Sequence, residues 1–110
     1  MIKKVLLMVL VLSTFLFAAN KKTVTFKSLD NLTITADLYM IDENRQRPFI
    51  VLYHQAQSSR GEYKDIAKRL NKLGFNCMAV DLRSGKISNG IKNKTHLEAK
   101  KRYKSTSQLK

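Results

Sequence analysis

The chain has 110 residues, and 21 Lys and Arg against eight Asp and Glu give it a formal net charge of +13. That length holds one small domain at most, and the single cysteine excludes an internal disulfide. The charge predicts weak, non-specific adhesion to anionic surfaces but does not by itself make a nucleic-acid binder.

The chain opens "MIKKVLLMVLVLSTFLFAAN": two lysines, an uncharged apolar run from Val5 to Phe17, then Ala18-Ala19. This is the layout of a secretory signal peptide over residues 1–19. The apolar run is short for a membrane-spanning helix. Cleavage after Ala19 takes Lys3 and Lys4 with it and leaves 91 residues at net charge +11. Phe17 is bulky where a small residue is preferred, and no cysteine nearby offers a lipid attachment point. The expectation is an exported protein, periplasmic or secreted.

Val24 and Phe26 alternate with polar residues, as do Leu32, Ile34, Ala36 and Leu38 with Thr33, Thr35 and Asp37. Two strands are predicted, joined by a turn at Asp30-Asn31. "DENRQRP" reads as a polar loop, with Pro48 opening the next segment. "FIVLY", Phe49 to Tyr53, is apolar without alternation, as in a strand covered on both faces of a parallel sheet. Ser59 followed by Glu62 is a capping-box pattern. Tyr63, Ile66, Ala67, Leu70 and Leu73 recur at helical spacing, and Gly74 is a stop signal. "FNCMAVDL" is a second buried-type strand holding Cys77, read as a buried thiol. Strand, helix and strand make a βαβ unit.

The body of the fold is therefore expected over residues 20–83, as an α/β domain of an N-terminal hairpin plus one βαβ unit. Residues 84–110 carry Arg83's successors Lys86, Lys92, Lys94, Lys100, Lys101, Arg102, Lys104 and Lys110 against Glu98 alone. With few large apolar residues they read as a basic, irregular tail with a short helix around His96 to Tyr103.

Three stretches together resemble the N-terminal part of the α/β-hydrolase fold, of the dienelactone-hydrolase or carboxylesterase kind: "VLYHQAQSSRGEY", "AKRLNKLGFNCMAVDLRSG" and, more weakly, "SNGIKNKTHLEAKKR". The resemblance covers roughly residues 23–95. It implies that His54 orders the turn after the third strand and is not a triad base. The backbone N–H of Gln55 or Ala56 would then help stabilise the oxyanion of a tetrahedral intermediate. It also implies serine-dependent ester or related hydrolysis for the parent enzyme.

The nucleophile elbow Gly-x-Ser-x-Gly is missing. None of Gly61, Gly74, Gly85 and Gly90 flanks a serine at that spacing. The triad acid and histidine follow later still in the family, and His96 sits among lysines with no acid-and-nucleophile pattern. Ser58, Ser59 and Ser84 read as a loop residue, a helix cap and a strand exit. The expectation is a truncated or split hydrolase, inactive alone, with no catalytic residue of its own. In that fold the Phe49–Tyr53 strand pairs with a fifth strand that these residues do not supply. Its apolar edge is left for a separately encoded C-terminal half or for self-association, and the alternative reading is a small exported interaction module dimerising through that edge.

Other signals are weaker. "SGKIS" has Val80 where a phosphate-binding loop needs glycine. His54, Cys77 and His96 fall on separate elements, so neither a metal nor a cofactor is expected. The basic tail lacks the interleaved aromatics of a nucleic-acid surface. Asn31-Leu32-Thr33 and Asn93-Lys94-Thr95 match the glycosylation acceptor pattern, which matters only in a glycosylating host.

Overall fold

The structure is a computed structural model describing residues 21–103. The expected leader at residues 1–19 lies outside the described residues, as does the end of the tail. The order is β1 (Lys21–Lys27), β2 (Thr33–Tyr39), β3 (Phe49–Tyr53), a 3-10 turn (Arg60–Tyr63), α1 (Lys64–Lys72), β4 (Asn76–Val80), β5 (Ile87–Ser88), β6 (Ile91–Lys92) and α2 (Lys94–Arg102). The main sheet runs β1-β2-β4-β3, and β5 and β6 form a small separate ribbon. β1 with β2, and β2 with β4, are antiparallel; β3 and β4 are parallel. The chain is thus a small mixed α/β domain with a four-stranded sheet and a helix packed on each face.

The turn between β1 and β2 uses the polar residues read there. Asn31 has φ +63°, a conformation asparagine tolerates. Ser28 Oγ accepts from Leu32 N–H at 3.1 Å, and Asn31 N–H donates to the Ser28 carbonyl. At the far end of α1, Gly74 (φ +97°) is the left-handed residue after the helix. Its N–H bonds the Asn71 carbonyl and Phe75 N–H bonds the Leu70 carbonyl, a Schellman stop. The capping box is half realised. Ser59 Oγ accepts from Gly61 N–H, but the Glu62 carboxylate turns away to Gln55.

Two apolar clusters hold the layers together. Tyr39, Cys77 and Ala79 pack with Ala67 of α1, flanked by Ile50, Leu52, Tyr63, Leu70 and Phe75. On the other sheet face Leu32, Ile34, Ala36 and Val80 pack with Ala99 of α2, flanked by Val24, Met78 and Tyr103. Each large side chain so buried contributes roughly 1.5–3 kcal/mol. Cys77 lies in the first cluster, and burial pushes its thiol pKa up.

Two expectations fail. The Phe49–Tyr53 strand is covered on one face only. β3 is an edge strand whose Ile50 and Leu52 reach the α1 cluster, while Phe49, Val51 and Tyr53 remain 48 %, 38 % and 62 % exposed. The part of α2 that covers this face lies over β2, away from β3.

The stretch from Ser84 to Tyr103 is not irregular either. Asn89 (φ +47°) and Gly90 (φ +76°) make the tight turn of the β5–β6 ribbon, which needs positive φ at both central positions. The α2 helix is two residues longer at its N-terminus than read, capped by Asn93, whose Oδ1 accepts from His96 N–H at 2.9 Å. Small and polar residues dock this segment: Gly85, Asn93, Thr95 and Ala99 are buried, and Thr35 N–H donates to Thr95 Oγ1 at 2.9 Å. A count of large apolar residues could not register that kind of packing.

Candidate functional site

The residues singled out from the sequence gather at the carboxyl ends of the parallel pair β3 and β4, where open α/β sheets commonly place ligands. His54 follows Tyr53 directly and is buried. Its Nδ1 lies 2.8 Å from the Gln55 carbonyl, and its Nε2 is 2.9 Å from Leu82 N. A carbonyl only accepts and a backbone N–H only donates, so these partners assign the proton to Nδ1 and make Nε2 the acceptor. Asn93 Nδ2 sits 3.2 Å from Nε2 and donates to the Leu82 carbonyl at 2.9 Å. Both ring nitrogens therefore tie the loop after β3 to the exit of β4. A histidine so engaged positions backbone; it is not poised to abstract a proton.

The loop itself is a β-turn. Ser58 N–H donates to the Gln55 carbonyl at 3.3 Å, and Gln57, in the third position, has φ +63°, as a type II turn requires. Gln55 and Ala56 are exposed on it. Gln55 N–H is already in use, donating to Glu62 Oε2 at 3.1 Å. A carboxylate oxygen thus occupies the direction in which an oxyanion would be received at Gln55. Ala56 N–H has no such carboxylate partner among the described residues.

Beneath this turn lies a buried ionic network that the sequence did not announce. Arg60 Nη1 donates to Asp81 Oδ2 at 2.6 Å, Arg60 N–H donates to Asp81 Oδ1 at 2.7 Å, and Arg60 Nε stands 3.1 Å from Asp37 Oδ1. Asp81 Oδ2 also accepts from Lys94 N–H at 2.9 Å, holding the first turn of α2. Thr23 Oγ1 donates to Asp37 Oδ1 at 2.7 Å, and Lys21 Nζ lies 3.5 Å from Asp37 Oδ2. One guanidinium thereby joins β1 and β2 to the 3-10 turn, the β4 exit and α2. Asp37 had the alternation of an outward-facing strand residue, yet it and Arg60 are both buried.

Gly85 is needed at the same junction, since a Cβ there would collide with Asn93 Nδ2 and the Ser58 carbonyl. Ser59 Oγ donates to the Ile91 carbonyl at 2.6 Å. Ser58 Oγ is buried without a hydrogen-bond partner, and Ser84 is exposed. His96 lies in the first turn of α2 with Nδ1 2.8 Å from the Arg83 carbonyl. Among the described residues nothing brings a serine, a histidine and a carboxylate into a relay. Among the described residues no group of three His, Cys, Asp or Glu is placed to hold a metal ion, and no helix is long and apolar enough to cross a membrane. An open groove of about 610 Å³ lies elsewhere, between Thr25, Thr33 and Thr35 on the sheet and Lys94, Leu97 and Lys101 of α2.

No protein-family model and no curated protein matches the chain.

Proposed function

We infer that this chain is the oxyanion-turn half of an α/β-hydrolase, unable to hydrolyse an ester by itself. The observation that carries the reading is His54, placed where the carboxyl ends of β3 and β4 meet and bonded through both ring nitrogens to the backbone of two loops. That is the arrangement expected of a histidine that orders an oxyanion turn. The open edge of β3 supports it too, since the resemblance puts a fifth strand on that side.

Ala56 N–H is the oxyanion donor in this reading; Gln55 N–H joins it only when the Glu62 carboxylate is displaced. The 110 residues hold no Gly-x-Ser-x-Gly, so an acyl-transfer cycle has no nucleophile here. The complementing half would supply nucleophile, acid and base, and export would follow from residues 1–19.

The test is to translate the DNA beyond the Lys110 codon in all forward frames and to expose the purified chain to a fluorophosphonate probe. The expected result is a buried strand leading into Gly-x-Ser-x-Gly, then an acid and a histidine, with the chain alone unlabelled. Labelling of the chain alone, or no such elbow in any frame, overturns the reading.

A further inference from the structure

The edge of β3 carries more information than its exposure. Asn76 N–H donates to the Pro48 carbonyl at 3.1 Å, and Phe49 is paired with Asn76 in the parallel register. Alternate residues of a strand direct their main-chain groups to opposite sides. Pro48, Ile50 and Leu52 therefore face β4, while Phe49, Val51 and Tyr53 point their N–H and C=O groups off the edge. Of these, the Tyr53 carbonyl already accepts from the Tyr63 hydroxyl at 2.5 Å. The same three residues have their side chains exposed on the sheet face that α2 leaves bare. Apart from the Tyr53 carbonyl, the outward main-chain donors and acceptors and an apolar strip of this strand are thus without a partner among the described residues.

The geometry points to a second copy of this chain as the occupant, β3 pairing antiparallel with β3 about a two-fold axis through Val51. The strand reads Phe-Ile-Val-Leu-Tyr, aromatic at each end and aliphatic between, so it is the same in kind in either direction. A two-fold interface requires such self-complementarity. In this register Val51 opposes Val51 of the partner subunit and the two exchange both N–H···O=C bonds. Phe49 opposes Tyr53 of the partner subunit, giving an aromatic cross-strand pair at each end.

Charge agrees with this register. Phe49–Tyr53 has no charged residue in a chain of net charge +13, so the contact falls where like-charge repulsion is least. At each end Arg47, paired within its own chain to Asp42 Oδ1 at 2.8 Å, runs toward Gln55 of the partner subunit, so no unpaired cation faces another across the seam. The pairing does not rest on the hydrolase reading, because it uses only the edge.

A five-residue strand pair belongs with small, transient interfaces. The dimer is expected at concentrations on the order of 100 μM and to dissociate on dilution. Sedimentation velocity of the full chain across that range tests it, together with Val51→Lys, which sets a lysine opposite a lysine and should weaken the dimer at least about tenfold. Register is read by mild oxidation, with the buried Cys77 of the unaltered chain as the blank. Val51→Cys should cross-link to itself. Phe49→Cys should not, but should cross-link when mixed with Tyr53→Cys. A chain that stays monomeric throughout, a Val51→Lys dimer of unchanged affinity, or Phe49→Cys linking to itself as readily as Val51→Cys overturns the proposal.

Discussion

The two edges of one four-stranded sheet are finished in opposite ways. β1 carries Lys21, Lys22 and Lys27 in seven residues, and lysines on an edge discourage another strand from adding to it. It is also anchored sideways, with Thr23 and Lys21 both reaching the buried Asp37. β3 has no charge in its five residues and exposes an apolar face. Edge chemistry is thus a local choice of this sequence, not a consequence of its overall charge: a chain at +13 had lysines to spare for β3 and does not place them there.

The largest expected effect comes from breaking the anchored side. Arg60→Ala leaves Asp37 and Asp81 buried without their guanidinium, and such a loss costs about 3–5 kcal/mol. Against the 5–15 kcal/mol typical of whole domains, that is about a fifth of the stability or more. Urea denaturation followed by circular dichroism measures it, and a loss below about 1 kcal/mol would mean the network is not what joins β1 and β2 to the turn.

The two halves should also fail at opposite ends of the pH scale. Tyr39 is buried under α1, and burial with the nearby Asp37 charge pushes its pKa up to about 12 from 10.0. A raised folded-state pKa means the folded chain keeps its proton while the unfolded chain loses it, so stability falls as pH climbs from 10 to about 12. The expected loss is roughly 1–2 kcal/mol. The Tyr39 hydroxyl has no hydrogen-bond partner, so Tyr39→Phe should fold at least as well at neutral pH and flatten this alkaline loss. An alkaline limb unchanged in Tyr39→Phe would move its cause elsewhere.

Exchanging the edges sharpens the comparison further. Lys22→Val removes a guard from β1 and should raise higher-order association, because an edge that pairs with a non-identical edge does not close. Combined with Val51→Lys, it should move association from β3 to β1, each change amounting to about tenfold in affinity, or about 1.4 kcal/mol. Light scattering against concentration separates the closed dimer from open assemblies.

Much of the fold was legible because periodicity carries it. The alternation from Val24 to Leu38, the helical spacing from Tyr63 to Leu70 and the stop at Gly74 are each set by a few local residues. What was missed depends on long-range placement. Whether both faces of "FIVLY" are covered is decided by where the helices pack, which an apolar run does not encode. Asp37 looked outward because alternation names faces without saying what covers them; its face is covered by Arg60, 23 residues later in the sequence. The ribbon did have a local signal, Asn89-Gly90, which is a strong hairpin dipeptide, but the surrounding lysines hid it. The use of Gln55 N–H by Glu62 was not legible, because the pattern that flagged Glu62 pointed it at Ser59.

The smallest effect belongs to the exposed end of the anchored side. Asp30, in the β1–β2 turn, accepts from Arg83 Nη1 and Nη2 at 2.7 and 2.6 Å, and Arg102 donates to the Asp30 and Asn31 carbonyls at 2.6 and 2.8 Å. Hydrogen bonds from Arg83 hold the Asp30 carboxyl well below the usual carboxylate range. A lowered folded-state pKa contributes stability that is present above the unfolded value of 3.8 and is lost as pH falls through the folded one. Because the pair is in solvent, salt screens it. Asp30→Asn should therefore lower the acid sensitivity of unfolding only slightly, and less in high salt. The Arg102 hydrogen bonds to the two carbonyls should survive it and keep α2 docked, while the longer contacts to the carboxylate, Arg102 Nη1 at 3.9 Å and the Tyr103 hydroxyl at 3.3 Å, are weakened. Hydrogen exchange at Ala99 and Tyr103 N–H reports that docking. If protection there falls sharply in Asp30→Asn, the carboxylate and not the carbonyls holds α2 against the turn.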